Sequence, residues 1–93
     1  MDVDIRALPF PINVVSVRTL DDYRLVLDFE IGKAKTRSRG VFDMAPYLDK
    51  GSFGVLRDPR VFHDAHIVYG AVTWPGDIDL APERMYTDCE PIP

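Results

Sequence analysis

The stretch Tyr23-Arg24-Leu25-Val26-Leu27-Asp28-Phe29-Glu30-Ile31-Gly32-Lys33-Ala34-Lys35-Thr36-Arg37-Ser38-Arg39 decides the reading of this chain. Its first half alternates with a period of two. Tyr23, Leu25, Leu27 and Phe29 share one face, while Arg24, Val26, Asp28 and Glu30 share the other. That period belongs to a half-buried strand. The second half alternates too, with Lys33, Lys35, Arg37 and Arg39 on one face and Ala34, Thr36 and Ser38 on the other. With Ile31-Gly32 as a two-residue loop, a hairpin pairs Glu30 with Lys33 and Asp28 with Lys35 on the outer face. Phe29 then lies over Ala34 and Leu27 over Thr36. Ile31 fits this loop poorly, because a β-branched residue resists positive φ.

Outward from the hairpin, Asn13 to Thr19 is a β-branched run that reads as a strand, and Asp21-Asp22 as a turn. Met1 to Pro11 reads as an extended arm, since Pro9 and Pro11 restrict their predecessors. Asp43 is placed to cap a short helix from Met44 towards Lys50. Ser52 to Arg60 reads as loop with one helical turn around Leu56. Val61 to Tyr69 and Ala71 to Trp74 are expected to form a second hairpin turning near Gly70. Pro82 opens a last short helix through Tyr86. The expected fold is α+β: a small, mostly antiparallel sheet of about five strands, two hairpins plus an N-terminal strand, with two or three short helices. One domain is expected over 12–87, between an arm over 1–11 and a tail over 88–93.

Bulk properties narrow the function. A chain of 93 residues holds one small domain. Its net charge of −4 argues against a nucleic-acid binder, whose affinity rests on phosphate contacts. The single cysteine, Cys89, forms no intramolecular disulfide and fits a reducing cytoplasm. No apolar run is long enough to span a membrane, and no signal peptide is expected.

The densest stretch is Trp74-Pro75-Gly76-Asp77-Ile78-Asp79-Leu80-Ala81-Pro82-Glu83-Arg84-Met85-Tyr86. Asp77 and Asp79 offer two carboxylates to a small metal-dependent site. In the structural reading Asp77 accepts N–H bonds in the Pro75-Gly76 turn and Asp79 caps the last helix. Trp74 and Tyr86 then clamp the loop to the core. His63 and His66 lie on opposite faces if Phe62 to Tyr69 is a strand, which disfavours shared ligation. Arg37 and Arg39, beside Arg24, form a basic cluster suited to a partner's carboxylates or a nucleic-acid backbone. No catalytic constellation, metal site or cofactor-binding motif stands out.

The chain resembles a bacterial family known as domain of unknown function 2442. The resemblance rests on Asp22-Tyr23-Arg24-Leu25, Phe29-Glu30-Ile31-Gly32, Phe42-Asp43-Met44-Ala45-Pro46-Tyr47-Leu48, Leu56-Arg57-Asp58 and Phe62. Its most specific block contains Trp74, Gly76, Asp77, Asp79, Pro82 and Tyr86. It covers roughly 12–87 and implies a small α+β domain with a protein partner. It also implies an antitoxin-like place in a two-gene pair, with no catalytic residues to transfer. The leading expectation is a non-enzymatic protein-interaction module of the bacterial cytoplasm, with a protein partner or self-association. Its candidate residues are Arg24, Lys33, Lys35, Arg37 and Arg39. The alternatives are nucleic-acid or phosphate contact through Lys33–Arg39, and a metal-dependent site at Asp77/Asp79.

Overall fold

A computed structural model describes residues 11–92. The extended arm expected over 1–11 falls almost entirely outside them. Strand β1 (Ile12–Thr19) leads through a 3-10 turn at Asp21–Tyr23 into β2 (Arg24–Ile31), which returns as β3 (Thr36–Asp43). Short 3-10 segments follow at Ala45–Tyr47 and Gly51–Arg57, then helix α1 (Pro59–Phe62). Strands β4 (His66–Val68), β5 (Ala71–Trp74) and β6 (Ile78–Leu80) make a meander. Helix α2 (Pro82–Asp88) and strand β7 (Glu90–Ile92) complete the fold.

The architecture is α+β, with an antiparallel four-stranded sheet in the order β1-β2-β3-β7 and a three-stranded sheet β4-β5-β6. The described residues thus form seven short strands where about five were expected. The tail over 88–93 contributes one of them: Glu90, Pro91 and Ile92 pair with Val41, Gly40 and Arg39.

The central hairpin keeps its faces but shifts its register by four residues. Asp28 faces Arg39, Glu30 faces Arg37, Phe29 faces Ser38 and Leu27 faces Gly40. Ile31 stays in the strand opposite Thr36. Positive φ falls instead on Gly32 (72°) and Lys35 (54°), so Gly32 to Lys35 form the loop. A β-branched side chain cannot cheaply take that conformation, and glycine can. Because the shift is even, acids still meet bases on one face.

The core lies on the other face. Leu25, Leu27, Phe29, Phe42 and Val14 bury against Leu56, Phe62, Val72, Trp74, Ile78 and Met85. Trp74 is fully buried, and its indole Nε1 donates to the Phe62 carbonyl at 3.0 Å. The side chain that fills the core thereby also satisfies its one polar group. Tyr23 and Tyr86 pack edge-on against Phe62 and Phe29, each with ring centroids 5.3 Å apart.

Three local expectations change. Val61 to Ala65 is not strand: Asp58 accepts from the Arg60 N–H and caps α1, with Pro59 at its first position. An Asp-Pro start outweighs the β-branched Val61 beside it. The helix expected from Met44 to Lys50 is one 3-10 turn, and the Asp43 carboxylate accepts from the Ala45 N–H at 2.9 Å. Asp79 does not cap α2. It lies in β6 opposite Thr73, and Ala81 holds the cap position without a side-chain bond.

Candidate functional site

The covering layers all sit on one side of the four-stranded sheet. Strand pairing places Ser16, Arg18, Arg24, Val26, Asp28, Glu30, Arg37, Arg39, Val41 and Asp43 on the opposite face. Opposed residues of an antiparallel pair share a face, so this surface can be read row by row. One row runs Ser16, Asp28, Arg39, Ile92; the next runs Arg18, Val26, Val41, Glu90.

Within that face Arg39 donates from Nε and Nη2 to the two carboxylate oxygens of Asp28, at 2.7 and 3.3 Å. Arg37 reaches Glu30 at 3.1 Å. The Arg39 hydrogen bonds hold the Asp28 carboxyl below its ordinary value, against a smaller opposing effect of burial. Asp28 in turn raises Arg39 through the same bonds. Two-pronged Arg–carboxylate geometry fixes both side chains. Beside the pairs lies a depression of about 390 Å³ lined by Asp28, Arg37, Ser38, Arg39 and Ile92. It adjoins the stretch of β3 from Thr36 to Ser38, for which β7 supplies no pairing.

The basic row read from the sequence is therefore divided. Arg37 and Arg39 are neutralised across β2 rather than left beside Arg24. Arg24 lies at the other end of the hairpin, opposite Asp43. Lys33 and Lys35 sit exposed in the loop.

Asp77 and Asp79 are exposed, and no side-chain hydrogen bond to either is formed among the described residues. The expectation that the Asp77 carboxylate accepts turn N–H groups is thus not met. What its position demands is backbone conformation: φ is 60° at Asp77 and 89° at Gly76. Pro75-Gly76 is the pair that such a turn favours, and Asp tolerates the left-handed region. No group of three or more His, Cys, Asp or Glu is placed to hold a metal ion among the described residues.

The histidines separate. His63 ends α1, and its Nδ1 lies 2.7 Å from the Thr19 hydroxyl; the Nδ1 of His66 lies 2.9 Å from the Asp64 carbonyl. Cys89 is half-buried against Gly40, and burial pushes its thiol up in pKa, away from a reactive thiolate.

One feature escaped the sequence reading. A cleft of about 330 Å³ opens between the β1–β2 turn and α1, lined by Leu20, Asp21, Asp22, Tyr23, Pro59, Phe62 and His63. The turn is unusual in holding Asp22 and Tyr23 in succession at φ 63° and 61°. Tyr23 is anchored there by donating its hydroxyl to the Arg57 carbonyl. Asp21-Asp22 signalled the turn, but only the non-local approach of α1 makes a cleft of it.

Fold and site define a small α+β domain with one covered and one open sheet face. Residues 14–91 match the family model described as protein of unknown function (DUF2442), and the chain belongs to that family. No curated protein and no solved structure matches it. No helix of the described residues is long and apolar enough to cross a membrane.

Proposed function

We propose that this chain is a non-catalytic protein-interaction module that engages a protein partner through the open face of its four-stranded sheet. One observation carries the reading. That face presents a preorganised ladder, Asp28–Arg39 and Glu30–Arg37, beside the half-buried pair Val26 and Val41 and a shallow depression. Side chains already fixed by one another lose little further freedom on binding. The mixture of both charge signs with apolar surface suits a protein better than a uniformly anionic backbone. The two arginines that would touch phosphates are already neutralised, and the chain carries a net charge of −4. An antitoxin-like place in a two-gene pair is the form of this role that the family resemblance suggests, in a bacterial cytoplasm. The test is co-expression with the product of the adjacent gene, followed by size-exclusion chromatography. A co-eluting complex is the expected outcome, and two separate peaks at micromolar concentration would overturn it.

A further inference from the structure

We infer that the edge of β3 at Thr36–Ser38 is a docking groove for a segment of this same chain, Val3-Asp4-Ile5, which adds there as a short antiparallel strand in line with β7. Docking there requires no partner protein and is independent of the interaction proposed above. Strand pairing defines the groove. β7 covers Arg39, Gly40 and Val41, and among the described residues no strand lies against Thr36, Arg37 and Ser38 on that side. The direction of the backbone groups follows from the ladder. Met44 donates its N–H to the Tyr23 carbonyl at 2.9 Å, so the even-numbered residues of β3 bond to β2. The odd-numbered ones, Arg37 among them, turn N–H and C=O towards the other edge. Pro91, which has no N–H to give, accordingly stands opposite the even-numbered Gly40.

The chemistry of the two faces selects the occupant. A depression lies on each side of this edge. The one on the open face is bounded by Arg37 and Arg39. The other, about 480 Å³ on the covered side, is lined by Ser38, Arg39, Tyr86, Thr87, Cys89 and Pro91. Side chains of an added strand alternate between these faces. The residue opposite Arg37 meets a guanidinium that is 66% exposed and touches Glu30 at a single 3.1 Å contact, so it has donors left for an acid. The residues opposite Ser38 and Thr36 point to the covered side and are best apolar. The groove thus asks for apolar, acidic, apolar, and Val3, Asp4 and Ile5 supply that order. The antiparallel direction sets Val3 opposite Ser38, Asp4 opposite Arg37 and Ile5 opposite Thr36. Six residues then lead to Pro11, whose carbonyl accepts from the Gly32 N–H at 2.8 Å, at the same end of the sheet as Thr36. The groove lies three strand spacings from β1, about 14 Å. Six extended residues reach about 20 Å.

Nuclear magnetic resonance of the full chain tests this. A contact between the α-protons of Val3 and Ser38 is expected, because that pair is of the close, non-hydrogen-bonded kind. Asp4→Lys sets a cation against Arg37. The Arg37 amide should exchange at least tenfold faster in that variant, and the Met44 amide at an unchanged rate, since its bond to Tyr23 lies in the body of the sheet. A mixture of ¹³C-labelled and unlabelled chains separates the occupants. The Val3–Ser38 contact should be absent from an isotope-filtered spectrum of that mixture. Its presence there would give the groove to a second copy and overturn the assignment within one chain. A full chain without the Val3–Ser38 contact, or an Arg37 amide whose exchange is the same in Asp4→Lys, would also overturn it.

Discussion

Arg39 grips Asp28 across β2 and β3 with two hydrogen bonds on the open face of the sheet. The bonds lower the Asp28 pKa, so the folded state holds its ionised form more tightly than the unfolded chain does. For a depressed carboxylate, the stabilisation is fully present above the unfolded value. It is lost as pH falls through the folded one. Asp28→Asn should therefore lower the melting temperature slightly at pH 7 and not at all near pH 2. Melting curves at both pH values check this. A difference that persists at low pH would show that packing, not charge, is what Asp28 supplies.

Trp74 is the largest of the fully buried side chains. Trp74→Ala empties the centre of the core and should cost about 3–5 kcal/mol. Trp74→Phe keeps most of the volume but leaves the Phe62 carbonyl without its buried donor. That variant should lose about 1–3 kcal/mol. Urea unfolding of the two variants separates the volume from the hydrogen bond.

Gly40 marks where β7 and α2 close on the sheet. A Cβ there would stand 2.5 Å from the Cys89 sulfur and 3.2 Å from the Glu90 carbonyl oxygen. Gly40→Ala should destabilise by about 1–3 kcal/mol through overpacking. Cys89→Ala in the same chain should restore part of that, because it removes the sulfur and leaves the carbonyl contact. Full restoration, or none, in a denaturation cycle of the four proteins would contradict this packing.

Asp77 belongs to the most specific block of the sequence, yet its carboxylate is exposed and holds nothing among the described residues. Asp77→Asn should change stability by less than about 0.5 kcal/mol, as for an ordinary surface site. Asp77→Val should be costly, because a β-branched residue resists the 60° φ. Calorimetry of both variants tests whether the position is kept for backbone shape.

What the sequence disclosed was what local chemistry controls. The alternation of Leu25, Leu27 and Phe29 assigned β2 and its buried face, and Pro82 marked the start of α2. Asp43 and Asp58 show the limit of such rules. Both accept backbone N–H bonds at turn starts, but how far each helix ran depended on packing. The hairpin register was legible in its faces and not in its length. Matching opposite charges favoured the nearest lysines, while the φ demanded of Ile31 favoured a longer loop. Backbone sterics outweighed exposed charge pairs, which contribute little. The pairing of β7 with β3 and the cleft beneath Tyr23 and Phe62 join segments far apart in the chain. No local pattern carried them.

The proposed interaction depends on the open face being the partner surface. Its most direct test is size-exclusion chromatography of the chain co-expressed with the adjacent gene's product, as wild type and as R37E/R39E. These substitutions set like charges against Glu30 and Asp28 and leave the buried face untouched. One co-eluting complex is expected with the wild type, and its loss in the variant, with the variant still folded by circular dichroism. A complex that survives in the folded variant would contradict it.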